Sequence, residues 1–219
     1  VGGGYPEGHI ILMAGNTGTG KSTFSMQFLG QGLKDNEHCL FVALEEAVPQ
    51  VKKTAESHDW DSMEHKNMHT INPSLLDVYP DKILYDIIKT CNKHKIKRVV
   101  VDSISSLESA TMSKSVLREF LLQLAGFFKT KGITAIFTYL TEDMFGSTGR
   151  NALGMGASSS IRLSSIVDGI ILLRYLETNN TVKKVLNVLK MRGSQHTKDV
   201  REFEISKGGI KISETIFKM

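Results

Sequence analysis

Apolar residues in this chain follow two patterns that alternate along its length. Short continuous apolar runs bounded by polar or turn residues are typical of buried parallel strands, whereas apolar positions repeated every three to four residues are typical of helices. The alternation predicts an α/β fold with a mainly parallel central sheet flanked by helices, and the close spacing of the last strands predicts antiparallel hairpins. The predicted strands are 9–14, 38–44, 68–71, 98–101, 133–139, 168–174, 184–191, 201–205 and 210–212, and the predicted helices are 21–34, 48–58, 83–94 and 116–128.

The first predicted strand leads directly into a glycine-rich loop at 15–23, Gly-Asn-Thr-Gly-Thr-Gly-Lys-Ser-Thr. Gly15, followed after four residues by Gly20, Lys21 and Ser22, fits the spacing of a P-loop. Glycines let backbone N–H groups approach phosphate oxygens closely, and the helix that follows adds its free N–H groups and dipole. Lys21 would reach the β- and γ-phosphates, and the Ser22 hydroxyl would bind Mg²⁺. The strand, loop and helix context favours a triphosphate site over a chance glycine-rich turn.

Two further predicted strands end in carboxylates, which should lie at the same edge of a parallel sheet as the glycine loop. Asp102 follows Arg-Val-Val-Val and fits the Walker B pattern that holds Mg²⁺ or its water shell. Glu45 and Glu46 end the second strand, where a carboxylate can polarise a nucleophile in line with the γ-phosphate. Repulsion between the two glutamates would also raise the pKa of one of them. The alternative is that they are N-terminal charges of the next helix.

Composition is ordinary for a globular protein, and the formal net charge of +4 is scattered rather than clustered. Cys39 and Cys91 belong to no paired motif, no apolar run reaches the ~18 residues of a membrane span, and no signal peptide precedes the first strand. These features predict a cytoplasmic protein without a membrane partner. The chain opens without Met and shows no internal boundary, so we expect residues 1–219 to form a single domain of a longer chain.

Together these residues resemble the RecA-like P-loop ATPases, and more closely the KaiC family of clock ATPases. The resemblance covers nearly the whole chain and also rests on Leu-Glu-Glu at 44–46, Val-Val-Val-Asp-Ser at 99–103 and, most specifically, Lys-Met-Arg-Gly-Ser-Gln-His at 190–196. Region 141–205 resembles the second, autokinase domain of KaiC more than the first. The resemblance implies hydrolysis of ATP with Mg²⁺, a homo-hexameric ring with ATP between subunits, and regulatory protein partners.

The resemblance also implies a role for each residue of the P-loop and its acidic partners. Glu45 would be the general base, assisted by Glu46, and Lys21 would stabilise the transferred phosphoryl group. Mg²⁺ would lie near Ser22, Glu45 and Asp102. The residues that would cradle the phosphates of ATP are Thr17, Gly18, Thr19, Gly20, Lys21, Ser22 and Thr23.

Further ATP contacts are implied outside the P-loop, and the run at 190–196 would reach the nucleotide of the neighbouring subunit. Lys190 and Arg192 alternate on a strand and should share one face, where they would act like arginine fingers in trans. A solvated basic strand end is the alternative. His58 lies where the family has an aromatic residue near adenine; an ordinary histidine at a helix end is the alternative, and Trp60 is a nearby substitute. The implied contacts are His58, Lys184, Lys190, Met191, Arg192, Ser194, Gln195 and His196.

Ser164 and Ser165 fall where the autokinase domain has its adjacent phosphorylated Ser-Thr pair, with serine here in the second position. A phosphate adds about −1.5 to −2 charges, which at a subunit boundary would change the contacts of a ring. The alternative is that these serines start a strand or cap a turn.

Two other functions compete with an ATPase that carries serine autokinase activity. A RecA-like DNA-handling protein would use the long loop predicted at 141–160. That loop holds only Glu142, Asp143 and Arg150 as charges, which argues against nucleic acid as a partner. A nucleotide-gated scaffold without turnover would not need the paired glutamates or the late cations.

The histidines give no metal signal in the sequence. His65 and His69 are four residues apart, but no third ligand follows at a metal-like spacing, which predicts a solvated pair. His9, His38 and His94 lie at predicted strand or helix ends and indicate no function.

Overall fold

The computed structural model describes residues 3–57, 61–73, 79–109, 113–141, 163–178 and 181–216. Its strands are β1 (Ile10–Gly15), β2 (Cys39–Ala43), β3 (Met68–Ile71), β4 (Arg98–Asp102), β5 (Thr134–Leu140), β6 (Gly169–Thr178), β7 (Thr181–Met191), β8 (Arg201–Ser206) and β9 (Gly209–Ile216). Its helices are α1 (Lys21–Lys34), α2 (Val48–Ser57), α3 (Pro80–His94), α4 (Ile104–Ser109), α5 (Lys114–Lys131) and α6 (Leu163–Ile166). None of the helices in the described ranges has the length and apolar character needed to cross a bilayer.

The described strands form one sheet in the order β3-β2-β4-β5-β1-β6-β7-β8-β9. The six strands from β3 to β6 run parallel, and β6 to β9 pair antiparallel. This confirms the predicted α/β fold, with a mainly parallel sheet and antiparallel C-terminal strands. Each strand predicted from an apolar run is present, with ends that differ by a few residues.

The central strand β1 is buried over its whole length because helices cover both faces of the sheet. Ile10 and Leu12 pack with α3, α4 and α5 on one face. Ile11 and Met13 alternate with them and pack with α1 on the other face. Continuous apolar runs were therefore the correct signal for strands that bury both faces.

Strand register defines two opposite edges of this sheet, and the predicted functional residues lie at both of them. The parallel strands β1, β2 and β4 end together at what we call the carboxyl edge, at Gly15, Ala43 and Asp102. At the other end of these strands, the amino edge, Ile11 pairs with Gly169, and Gly169 pairs with Met191 of β7. The C-terminal end of β7 therefore lies at the amino edge, away from the glycine-rich loop.

The short helices α4 and α6 were not predicted. Each is no more than six residues long, so neither shows enough turns for a helical period to be recognised in the sequence. The predicted long loop at 141–160 lies outside the described residues except for Thr141.

Candidate active site

The glycine-rich loop connects β1 to α1 at the carboxyl edge, and its glycines are required by its path. Gly18 and Gly20 have φ of 75° and 106°, in the left-handed region that other residues rarely adopt. A Cβ on Gly15 would lie 2.6 Å from the carbonyl oxygen of Leu173. Thr19 is fully buried and its Oγ1 donates to the carbonyl of Asn16 at 2.7 Å. The loop is thus held by its own hydrogen bonds and by the neighbouring strand β6.

Lys21 begins α1 and folds its side chain back over the loop. Its Nζ donates to the carbonyl oxygens of Gly15 and Asn16, both at 2.9 Å. Burial lowers the pKa of this ammonium, while the carboxylates of Asp102 and Glu45 oppose that shift. A cation held here by neutral carbonyls is available to phosphate oxygens, which form stronger charge-assisted hydrogen bonds.

Asp102 at the end of β4 links the loop to the neighbouring strands. Its carboxylate accepts hydrogen bonds from the hydroxyls of Thr138 and Ser22. Burial raises the pKa of the Asp102 carboxyl, and these two hydrogen bonds oppose that rise. The backbone carbonyl of Asp102 accepts from the amides of Leu44 at 2.7 Å and Glu45 at 3.2 Å. These contacts place the predicted Mg²⁺ ligands Ser22 and Asp102 together.

Glu45 and Glu46 follow β2 and are exposed at the same edge. Burial raises the pKa of the Glu46 carboxyl, and the charges of Asp102 and Glu45 raise it further. Repulsion within the glutamate pair, which the sequence suggested, is thus one cause of the raised Glu46 pKa, after desolvation and the charge of Asp102. Carboxylate and hydroxyl oxygens beside a lysine form the kind of oxygen-rich site that Mg²⁺ prefers together with phosphate.

The antiparallel strands β6 and β7 extend beyond the end of β1 and form a side wall of the loop. A Cβ on Gly18 would lie 2.8 Å from the hydroxyl oxygen of Tyr175 on β6. The next strand, β8, also reaches the loop, because a Cβ on Gly20 would lie 2.7 Å from Cδ1 of Ile205. Lys184 pairs with Tyr175 across the strands, and its Nζ is 5.9 Å from the ring centroid. Tyr175 was missed by the sequence analysis, although its position two residues after Leu173, on the same face of β6, could have indicated it.

The predicted cations of the 190–196 run lie at the amino edge, not beside the loop of their own chain. Nζ of Lys190 donates to the carbonyls of Val167 at 2.8 Å and Ser164, and Nη1 of Arg192 lies 3.6 Å from Oδ1 of Asp168. The carbonyl of Arg192 contacts Nε2 of His9 at 3.1 Å. The six residue steps from His9 to Gly15 span about 20 Å. Lys184 therefore lies near its own P-loop, whereas Lys190 and Arg192 do not.

The serines of the predicted phosphorylation site and the rest of the 190–196 run also lie at the amino edge. Ser164 and Ser165 lie in α6, both exposed, so they do not begin a strand. Met191 is buried at the end of β7, and Ser194, Gln195 and His196 follow it in the amino-edge segment. His58 and Trp60 lie outside the described residues, so the predicted adenine contact has no structural description.

The prediction of a solvated pair of His65 and His69 is wrong. His69 lies instead against His38 and His94, because β3 pairs with β2 and α3 ends beside both strands. Nδ1 of His38 is 3.1 Å from Nε2 of His69, and the rings of His69 and His94 stack with centroids 3.9 Å apart. Nothing in the described ranges groups His, Cys, Asp or Glu side chains as a metal site.

The family description "ATPase: KaiC" matches residues 1–216. The chain belongs to the KaiC ATPase family. The circadian clock oscillator protein KaiC of Parathermosynechococcus lividus is 34% identical over 98% of this chain and 38% of its own length. The circadian clock protein KaiC3 of Synechocystis is 36% identical over 97% of this chain and 41% of its own length. The chain thus spans about two fifths of the curated relatives that it matches.

A solved structure shares the fold across almost the whole chain. It is a KaiC-like protein from the hyperthermophilic archaeon Pyrococcus horikoshii, with a TM-score of 0.80 and 30% identity. The match covers 97% of this chain and 92% of that one. The resemblance first noted from short motifs is therefore confirmed at the level of family and fold.

Proposed function

We propose that this KaiC-family domain binds Mg²⁺·ATP at the loop between β1 and α1 and hydrolyses it. The observation that carries the proposal is the connected group of Lys21, Ser22 and Asp102, with Glu45 and Glu46 at the same strand edge. The loop amides and the ammonium of Lys21 would neutralise the β- and γ-phosphates. Mg²⁺ would be held by the Ser22 hydroxyl and, directly or through water, by Asp102 and Glu45.

In this mechanism Glu45 is the general base that orients and polarises the attacking nucleophile in line with the γ-phosphate. Glu46 supports it as a neighbouring carboxyl, whose pKa is raised by desolvation and by the charges of Asp102 and Glu45. The bond broken joins the γ-phosphorus to the oxygen that bridges the β- and γ-phosphates. The proton of the nucleophile passes to the carboxylate.

We further propose a homo-hexameric ring in which the amino edge of one subunit faces the carboxyl edge of the next. The separation of the two edges supports this arrangement, because Arg192 lies about 20 Å from the P-loop of its own chain along the strand direction. Head-to-tail contacts between unlike edges generate closed rings when the rotation closes. Lys190, Arg192 and the segment to His196 would then meet the ATP of the neighbouring subunit, and regulatory proteins would act on this ring.

The same arrangement supports serine autokinase activity. The carbonyl of Ser164 accepts a hydrogen bond from Nζ of Lys190, so the backbone of Ser164 lies beside the proposed trans cation. Ser165 is the next residue of the same short helix. A serine hydroxyl would replace water as the nucleophile toward the neighbour's γ-phosphate, and Glu45 of that neighbour would accept its proton.

Incubation with γ-labelled ATP tests this function, with Glu45→Gln as the decisive variant. We expect Glu45→Gln to lower release of labelled phosphate at least about 100-fold and to remove label from Ser164 and Ser165. Glu119→Gln, which alters an exposed glutamate on α5, is the matched control and should leave both readouts unchanged. Unchanged hydrolysis in Glu45→Gln would show that the base is misassigned. Labelling that persists in a variant with both serines replaced by alanine would overturn the autokinase proposal.

A further inference from the structure

Tyr175 is placed to act on the nucleotide site although no motif marks it. Gly15 at the end of β1 pairs with Leu173 of β6, so Tyr175 lies two residues beyond the end of β1, beside the loop itself. Side chains alternate along a strand, so Tyr175 faces the side of the sheet that Leu173 shares with α1. Its hydroxyl oxygen is 2.8 Å from the position that a Cβ on Gly18 would occupy.

The ring of Tyr175 also contacts a cation. Lys184 is its partner across the β6–β7 pair, and Nζ of Lys184 is 5.9 Å from the ring centroid. Lys184 is half-buried, and desolvation lowers the pKa of its ammonium. No salt bridge to Lys184 occurs within the described ranges, whereas the adjacent Lys183, on the opposite face, pairs with Glu202 at 2.8 Å. An anionic ligand beside Lys184 would therefore meet no competing carboxylate within the described ranges.

We propose that Tyr175 is a positioning residue that holds the Lys184 ammonium beside Gly18, so that Lys184 adds its charge to the phosphates of a nucleoside triphosphate. The attraction of an ammonium to an aromatic face keeps a flexible lysine in one place, and this reduces the entropy lost when phosphate binds. This inference rests on the proposed nucleotide site and adds a residue to it.

The proposal predicts that Tyr175 and Lys184 act as one unit. Tyr175→Leu and Lys184→Met should each weaken Mg²⁺·ATP binding about three- to tenfold. The dissociation constant of the double variant should be no higher than that of the single variant that binds less tightly. The second change then removes an interaction that the first change has already abolished. Tyr175→Phe keeps the ring and should stay within about twofold of the unsubstituted protein.

The measurement is the dissociation constant of a fluorescent ATP analogue with Mg²⁺, determined at several salt concentrations. Loss of a positioned cation should reduce the salt dependence of binding equally in Tyr175→Leu and Lys184→Met, an effect that a general packing defect does not produce. Tyr85→Leu removes a similar ring on α3, where Lys89 lies 5.7 Å from the centroid, and Lys183→Met removes the neighbouring charge. Both controls should leave binding unchanged.

Three outcomes separate this inference from the function on which it depends. If the unsubstituted protein fails to bind the analogue, or Lys21→Ala binds it as well as the unsubstituted protein, the proposed nucleotide site is wrong. If binding depends on Lys21 but the losses in Tyr175→Leu and Lys184→Met are absent or simply add, only the positioning role is wrong. If Tyr175→Leu unfolds, Tyr175→Phe and Lys184→Met decide the question, and a loss in Tyr175→Phe equal to that in Lys184→Met would contradict the ring's role.

Discussion

At the scale of single residues, Asp168 shows how the structure uses a carboxylate to organise the amino edge. Its Oδ1 accepts from Nζ of Lys129 at 2.8 Å, and its Oδ2 accepts from the amide of Ile10 at 3.1 Å. Desolvation raises the pKa of this carboxyl, but the hydrogen bonds from Lys129 and Ile10 outweigh it and leave the pKa below its ordinary value. Asp168 thereby anchors the start of β1 and gives Arg192 a contact at 3.6 Å.

The stacked histidines predict how stability depends on pH. Burial lowers the pKa of His69, and the neighbouring His94, His38 and Lys93 lower it further. Because the unfolded chain holds this proton more tightly, the contribution of His69 to stability is complete above its ordinary pKa of about 6.5 and is lost as pH falls below that value. His69→Gln should therefore reduce the acid-induced loss of unfolding free energy by less than about 1 kcal/mol, since half-exposed imidazoles are screened by solvent.

Urea titrations at about pH 7.5 and pH 5.5 measure this effect. Thr70→Gln is the control, since Thr70 is an exposed neighbour of His69 on β3 and carries no group that titrates between these pH values. It should alter stability similarly at both pH values. An acid sensitivity in His69→Gln equal to that of the unsubstituted protein would refute the assignment.

At this scale the sequence indicated which residues meet at the glycine loop but not which histidines meet each other. Lys21 and Ser22 could be identified from the spacing of the glycine loop, and Asp102 from its place at the end of a buried apolar run. The contact of His69 with His38 and His94 depends on the pairing of β3 with β2 and on where α3 ends. These contacts join residues that are far apart in the sequence, so the spacing of residues along the chain does not reveal them.

At the scale of elements, the packing of β8 against α1 fixes the start of the helix that follows the loop. The fully buried Phe203 of β8 lies edge-on to Phe24 of α1, with centroids 5.2 Å apart. Cε2 of the Phe203 ring would also lie 3.8 Å from a Cβ on Gly20. The N-terminus of α1 has no side-chain cap hydrogen bond within the described residues, so this packing helps to hold the first turn of the helix in place.

Phe203→Ala should destabilise the protein by about 3–5 kcal/mol, because it leaves a cavity where a large ring was fully buried. The same cavity lies beside Gly20, so ATP binding should weaken in the part of the population that remains folded. Thermal or urea unfolding measures the first effect. Ile212→Ala, on the neighbouring strand β9, is the control, since Ile212 is 49% exposed and should lose less than about 1 kcal/mol.

Elements were predictable from the sequence where they were long and apolar. The strands β1, β2 and β4 read as continuous apolar runs because both of their faces are buried. The contact of Phe203 and Ile205 with the glycine loop could not be predicted, since it depends on how three antiparallel strands extend the parallel sheet.

At the scale of the whole molecule, the order of the strands separates the proposed catalytic groups. The P-loop, Asp102 and the glutamates lie at the carboxyl edge, and Tyr175 and Lys184 extend that side. Lys190 and Arg192 lie at the amino edge because β7 runs antiparallel to β6. Ser164 and Ser165 lie there because α6 comes directly before the start of β6. One subunit therefore holds two incomplete halves of the proposed site, which a head-to-tail ring would join.

Mixing two inactive variants tests whether the site is shared between subunits. Glu45→Gln removes the proposed base at one edge, and Arg192→Ala removes a cation at the other. Arg192 is suitable because its side chain is 50% exposed and its own-chain ion pair is long, so its loss should not disturb the fold. The measurement is ATP hydrolysis by each variant alone and by an equimolar mixture that has been allowed to exchange subunits.

If the site is shared between subunits, some boundaries in the mixture combine the intact Glu45 of one subunit with the intact Arg192 of the next. Random exchange makes about a quarter of the boundaries complete, so we expect hydrolysis to recover to about a quarter of the unsubstituted rate. Each variant alone should remain nearly inactive. If subunits exchange but the mixture hydrolyses ATP no faster than the separate variants do, the site is not shared between subunits.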